Sequence, residues 1–338
     1  MTDYFRPLVQ IGPARPDTAV SLAGGWGWFT HAEVLSRSTP PRVVPAADIP
    51  ASVMARLTAP RPAMAGLTLD RPRIMGILNT TPDSFSDGGQ HNAVPDALRV
   101  AQEMVAAGAD ILDIGGESTR PGADFVPVSE EITRTAPVIA ALRGAGLHTP
   151  ISIDTRKAAV AEAAVSAGAN LVNDVSGFTF DPALGPLCQK LALPVCVMHA
   201  QGDPATMHLD PQYDNVLLDV FDALERQISM LEASGIPRGA ILADPGIGFG
   251  KTQDHNLALL ARLSLFHVLG TPILLGVSRK RFIGTIGNAP QAQDRAPGSI
   301  AVALGGLGQG VQMIRVHDVD DTRQAVALWH AAYFGSIL

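Results

Sequence analysis

The sequence predicts an α/β fold: a closed (β/α)8 TIM barrel over residues 71–338, preceded by an N-terminal extension over residues 1–70. Three observations predict it. Eight short apolar runs recur along the chain. The stretches between them carry helix-like patterns rich in Ala, Leu and Glu, the alternation expected of repeated βα units on a parallel sheet. Each run also closes on polar or charged residues of the kind that do chemistry. In such barrels the site lies at the carboxyl ends of the strands.

The runs are RIMGILN (73–79), ILDIGG (111–116), ISIDT (151–155), LVNDV (171–175), VCVMHA (195–200), ILADPG (241–246), ILLGVS (273–278) and MIRVH (313–317). Their ends present Asn79, Glu117, Asp154, Asn173, His199, Asp244, Ser278 and His317. Helices are expected over 95–107, 129–143, 157–167, 181–191, 215–234, 254–268, 298–308 and 319–332. Ser129 with Glu131, Asp154/Thr155 before an Ala-rich run, and Asp181-Pro182 read as helix starts. Gly108-Ala109 and Gly168-Ala169 suit helix ends. Three loops between strand and helix, 80–90, 118–129 and 201–212, are polar and rich in Gly or Pro, as lids at a barrel mouth are. The proline-rich extension shows no strand–helix alternation. It has one expected helix from Ile49 to Leu57, and its GGWGWF segment (24–29) suits packing on the barrel or on a partner.

Apolar residues make up 46% of the chain and charged residues 17%, enough for a large core. A net charge of −7 argues against a nucleic-acid binder, and no apolar stretch is long enough for a membrane span. The N-terminus has no apolar signal region, and Cys188 and Cys196 read as buried thiols, so a cytoplasmic location is expected. Anion binding then needs local basic spots. Two exist, Arg279-Lys280-Arg281 and Arg315/His317; Arg279, Arg315 and His317 together suit a diphosphate.

DPGIGFGKT (244–252) resembles a phosphate loop, but Pro245 stands where its first glycine is required. A tight turn capped by Asp244 explains the motif as well as a ligand loop does. Asn79, Asp154, Asn173 and Asp244 aim two amides and two carboxylates at one cavity, which favours a flat heterocycle rich in hydrogen bonds. Met198 and Phe249 suit the faces of such a ring, although each alone is as well explained by packing. The histidines show no metal-ligand spacing for zinc.

Taken together, LNTTPDSFSDGG, GGESTRPGA, SIDT, NDVSG, VMHAQGDPATM, DPGIGFGK, SRKRFIG and RVHDV resemble the dihydropteroate synthase family, in the family's order and over about residues 73–332. The resemblance implies a homodimeric, magnesium-dependent barrel that joins a pterin-methyl diphosphate to p-aminobenzoate. It implies that Asp154, Asn173, Asp244 and Lys280 hold the pterin, with Met198 and Phe249 packed nearby. Thr119, Arg120, Arg315 and His317 would bind the diphosphate, and Asn79 would ligate magnesium. Phe85, Pro121, Ser278 and Lys280 would line the p-aminobenzoate pocket. Asp154, Lys280, Arg315 and His317 would carry the chemistry. Thr80 departs from the family's usual Val. Two other readings compete: a methyltetrahydrofolate-dependent methyltransferase, which has no need of the TRPG loop or the diphosphate residues, and a pterin-binding relative without activity.

Overall fold

The computed structural model describes residues 3–80, 93–118, 125–202 and 210–337. The extension contains more structure than its sequence suggests. Strands β1 (Tyr4–Pro7), β4 (His31–Leu35) and β5 (Arg42–Pro45) form an antiparallel sheet in the order β1-β4-β5. Strands β2 (Val20–Ser21) and β3 (Trp28–Phe29) pair beside it. Helix α1 runs Ala51–Thr58, starting after Pro50 rather than at Ile49.

The barrel strands are β6 (Arg73–Asn79), β7 (Ile111–Gly115), β8 (Ile151–Asp154), β9 (Leu171–Asp174), β10 (Val195–Met198), β11 (Ile241–Asp244), β12 (Leu274–Gly276) and β13 (Met313–Val316). They pair in parallel in the order β11-β10-β9-β8-β7-β6-β13-β12. A parallel bridge from Ala243 to Ile273 joins β11 to β12 and closes the ring. Side chains two residues apart share one face of a strand. Met75, Ile111, Leu171, Cys196, Leu242, Leu274 and Met313 therefore form one apolar layer inside the barrel. The same layer includes Met64 and Leu69, so the end of the extension plugs the barrel floor. Both cysteines are buried thiols.

The helices are α2 (Ala93–Ala106), α3 (Val128–Gly144), α4 (Ala158–Ala167), α5 (Leu184–Lys190), α6 (Val216–Ala233), α7 (Gln253–Leu260), α8 (Arg281–Ile286), α9 (Ala296–Gly308) and α10 (Val319–Phe334). Several expected starts shift. Helix α3 begins after Pro127 with no side-chain cap, and α5 begins at Leu184. Asp181 instead accepts the Ala158 N–H at 2.8 Å, so it caps α4 from the next βα unit. Gly168 ends α4 in the left-handed conformation, as expected of that glycine. The helix expected over 254–268 stops at Leu260, and a 3-10 segment follows from Leu263 to Leu269. All seven residues of that segment are buried, because the barrel lies on one side of it and the extension on the other.

The extension docks along α6, the 263–269 segment, α9 and α10. The Trp26 indole donates to the Leu307 carbonyl at 2.9 Å and meets Trp329 edge-on. The Ser264 hydroxyl donates to the Pro7 carbonyl, and Arg61 donates to the His267 carbonyl at 3.0 Å. Arg37 reaches Asp219 and Asp222 on α6, and the Tyr4 hydroxyl also donates to Asp222. Phe29 and Leu57 are fully buried and belong to the same core cluster as the barrel helices.

Candidate active site

The strand periodicity that builds the apolar floor also builds the site. Two residues beyond that layer, seven of the eight strands place their next interior side chain: Ile77, Asp113, Asn173, Met198, Asp244, Gly276 and Arg315. Asp154, Asn79, Ser278 and His317 stand at or above the rim. Polar groups therefore crowd the carboxyl end of the barrel while its floor stays apolar.

Arg315 is the hub. Its Nε donates to Asp113 Oδ2 at 2.5 Å and its Nη2 to Asp154 Oδ2 at 2.8 Å. Asn173 Nδ2 also donates to Asp113 Oδ2, at 3.1 Å. Burial works against the charge on Arg315, but the two carboxylates outweigh it and hold its proton more tightly. Burial raises the Asp154 carboxyl above its ordinary range. Arg315 opposes that rise, and the neighbouring Asp113 adds to it. Asp113 Oδ1 is buried and has no hydrogen-bond partner among the described residues. Asp113 lies inside its strand, not at the strand end where the sequence pattern points. A carboxylate in the middle of the apolar run ILDIGG was the available signal, because a charge there faces either the barrel interior or nothing.

Asp244 ends β11 and accepts the Gly246 N–H at 2.7 Å through Oδ1, which is the turn cap allowed for above. Its carboxyl is raised by burial, with the Gly246 amide opposing. Glycine is required at 246: φ is +66°, and a Cβ there would lie 1.9 Å from the His199 carbonyl oxygen. The loop carries Phe249 to the mouth, where Lys280 Nζ sits 4.0 Å from the ring centroid. Met198 is buried on the adjacent strand. His317 Nδ1 lies 2.9 Å from the Ser278 hydroxyl, and the His317 N–H donates to the same oxygen.

Three sequence expectations need correction. Arg279 does not join Arg315 and His317. Its backbone is left-handed (φ 57°), and the turn swings its guanidinium onto Asp318 at 3.1 Å. Ser299 and Arg295 hold its amide and carbonyl, so Arg279 shapes the turn that presents Ser278 and Lys280. His199 also leaves the cavity, packing its Nδ1 against Lys251 at 2.9 Å. Glu117 pairs with Arg156 and Lys157 and accepts the Val126 N–H at 3.0 Å. Lys157 holds the Val126 carbonyl at 2.6 Å, so this network anchors the chain on the far side of residues 119–124. Phe85, Thr119, Arg120 and Pro121 lie outside the described residues.

A family model described as a pterin binding enzyme matches residues 75–317. The dihydropteroate synthase of Escherichia coli is 45% identical over 255 residues, which span 75% of this chain and 89% of that protein. The chain belongs to the dihydropteroate synthase family. The Synechocystis dihydropteroate synthase is 44% identical over 257 residues, with the same coverage. Among solved structures, the Xanthomonas albilineans dihydropteroate synthase with 4-aminobenzoic acid superposes with a TM-score of 0.75 at 45% identity. That match covers 79% of this chain and 96% of the other. The same enzyme in complex with 7,8-dihydropteroate gives a TM-score of 0.72 at 42% identity, over 79% of this chain and 95% of that one. The family match begins at residue 75, so the extension lies outside it.

Proposed function

We infer that this chain is a dihydropteroate synthase, a transferase of folate biosynthesis. It would condense 6-hydroxymethyl-7,8-dihydropterin diphosphate with p-aminobenzoate to give 7,8-dihydropteroate and diphosphate. The observation that carries this reading is the Asp113–Arg315–Asp154 hub, with Asn173 and Asp244 beside it, in a barrel about 45% identical to named dihydropteroate synthases. Asp154, Asn173 and Asp244 offer carboxylate and amide groups to a heterocycle that presents adjacent donors. Met198, Phe249 and Lys280 border its faces. Arg315 and His317 face the diphosphate, together with Thr119 and Arg120. Ser278 and Lys280, with Phe85 and Pro121, receive p-aminobenzoate.

The C–O bond between the pterin methylene and the diphosphate breaks first, and its electron pair leaves with the diphosphate. Arg315 and His317 stabilise that anion, and Asp154 offsets the positive charge left on the pterin. The arylamine nitrogen then forms the C–N bond and gives up a proton to water. The amine needs no strong base, since its lone pair is already nucleophilic.

Asn79 fits a magnesium ligand. Its side chain is half-buried at the rim on β6, beside β13, and makes no hydrogen bond to a described residue, so a hard oxygen donor is available. Bound there, magnesium would supply charge neutralisation to the diphosphate. Chelation should abolish turnover and added magnesium should restore it; full activity in chelator would remove this role from Asn79. We also propose a homodimer working in the cytoplasm, on the family resemblance and the two buried thiols. A monomer mass by light scattering would overturn the dimer.

The deciding assay measures diphosphate release from the pterin substrate with and without p-aminobenzoate, and identifies the product by mass. Release without a pterin–arylamine adduct would overturn the assignment.

A further inference from the structure

Lys251 follows the last glycine of the 244–250 loop and has no part in the roles above. It is buried, and among the described residues its ammonium contacts carbonyl oxygens and a histidine nitrogen rather than a carboxylate. Its side chain runs back beneath the loop. The ammonium lies 2.9 Å from the Gly246 carbonyl, 3.0 Å from that of Phe249 and 3.2 Å from that of His199. His199 Nδ1 is a fourth acceptor at 2.9 Å. Three N–H donors thus serve four acceptors. Two of these acceptors belong to the loop and two to the residue just past β10. The packing between them is close: a Cβ on Gly250 would lie 2.5 Å from the Gln201 carbonyl oxygen.

Burying an ammonium without a counter-charge is costly. Burial accordingly pushes Lys251 down to about 7, with Asp244 opposing, and pushes His199 down to about 3, leaving a neutral ring that can accept. An uncharged side chain would fill the space at lower cost, but it would leave the Gly246 and Phe249 carbonyls buried and unpaired. The Lys251 nitrogen gathers both and ties them to the end of the strand that carries Met198. The same loop places Asp244 at its start and Phe249 near its end.

We propose that Lys251 is a positioning residue of the pterin site, fixing the loop between Asp244 and Phe249 so that carboxylate and ring meet the pterin in one geometry. This rests on the reading that Asp244 holds the pterin. The test uses the full chain and three variants: Lys251→Met, Lys251→Gln and Asp244→Asn. Thermal unfolding, KM for each substrate and the affinity for 6-hydroxymethylpterin are measured for each. Lys251→Met should raise the KM for the pterin diphosphate about tenfold or more, while the KM for p-aminobenzoate stays within about twofold. Lys251→Gln keeps two donors and should recover part of that loss; it decides by the same split if the Met variant does not fold. A lower melting temperature with unchanged pterin affinity would make Lys251 merely structural and overturn the proposal. If Asp244→Asn also binds the pterin normally, the site reading itself fails. If only the Lys251 variants do, the reading stands and the inference falls.

Discussion

At the scale of single residues, Arg315 is charged with two duties that pull its variants apart. It stands between Asp113 and Asp154, so Arg315→Ala would leave two buried carboxylates facing each other and weaken the fold as well as catalysis. Arg315→Lys is the cleaner probe. It keeps the charge and loses the planar fork that reaches both carboxylates. The expected loss in kcat/KM is about 1.5–3 kcal/mol, the worth of a charged hydrogen bond, with the protein still folded. Unchanged kinetics would remove Arg315 from the diphosphate site. Asp244→Asn should keep the bond from the Gly246 amide, because the carboxamide oxygen can accept it, and so keep the turn. The other oxygen becomes a donor facing a donor, so calorimetry with 6-hydroxymethylpterin should show tight binding lost. Most of these residues could be read from the sequence because the eye goes to strand ends. Asp113 escapes that rule because it sits inside a strand, and the position of Arg279 is not legible because nothing in SRK announces a left-handed backbone.

Among the elements, the strands were legible and the connections less so. Apolar runs with a period of two fix a strand and its interior face together, which is why the floor and the rim both follow from the sequence. The 263–269 segment breaks that logic. LSLFHVL reads as the continuation of the helix expected over 254–268, but all seven residues are buried, and the choice between helical forms there is made by tertiary contacts. Within it His267 is fully buried. One ring nitrogen lies 3.0 Å from the Gln309 carbonyl and the other has no partner among the described residues. Burial, with Arg61 adding to it, pushes this histidine down to about 3. The native state therefore refuses a proton that the unfolded chain accepts below about 6.5. The stability this gives is present in full above that pH. It is lost as pH falls from about 6.5 towards 3, by up to about 1.4 kcal/mol per pH unit for this one group. His267→Gln should show a shallower loss than the parent in denaturant midpoints measured at pH 7 and pH 5. Parallel losses would mean that His267 takes up a proton in the fold.

For the whole molecule, the extension is the part its sequence concealed. Its strands are two to five residues long and punctuated by proline, too short for a periodic signal. Docked, it buries Trp26, Phe29 and Leu57, each contributing roughly 1.5–3 kcal/mol. It also supplies Met64 and Leu69 to the barrel floor. Removal of residues 1–70 should therefore cost the barrel its solubility or its cooperative melt, although every described site residue is retained. A soluble, fully active truncation with the parent's melting temperature would show that the docking is ornamental. The extension also has a temporal consequence. Tyr4, Pro7 and Trp26 meet partners 218, 257 and 281 residues downstream. In a chain synthesised from its N-terminal side, Trp26 lacks its Leu307 and Trp329 partners until α9 and α10 have been made. Contacts of such long range slow folding and expose the nascent chain to aggregation. The α9 and α10 surfaces that cover Trp26 are therefore the ones on which docking of the extension waits.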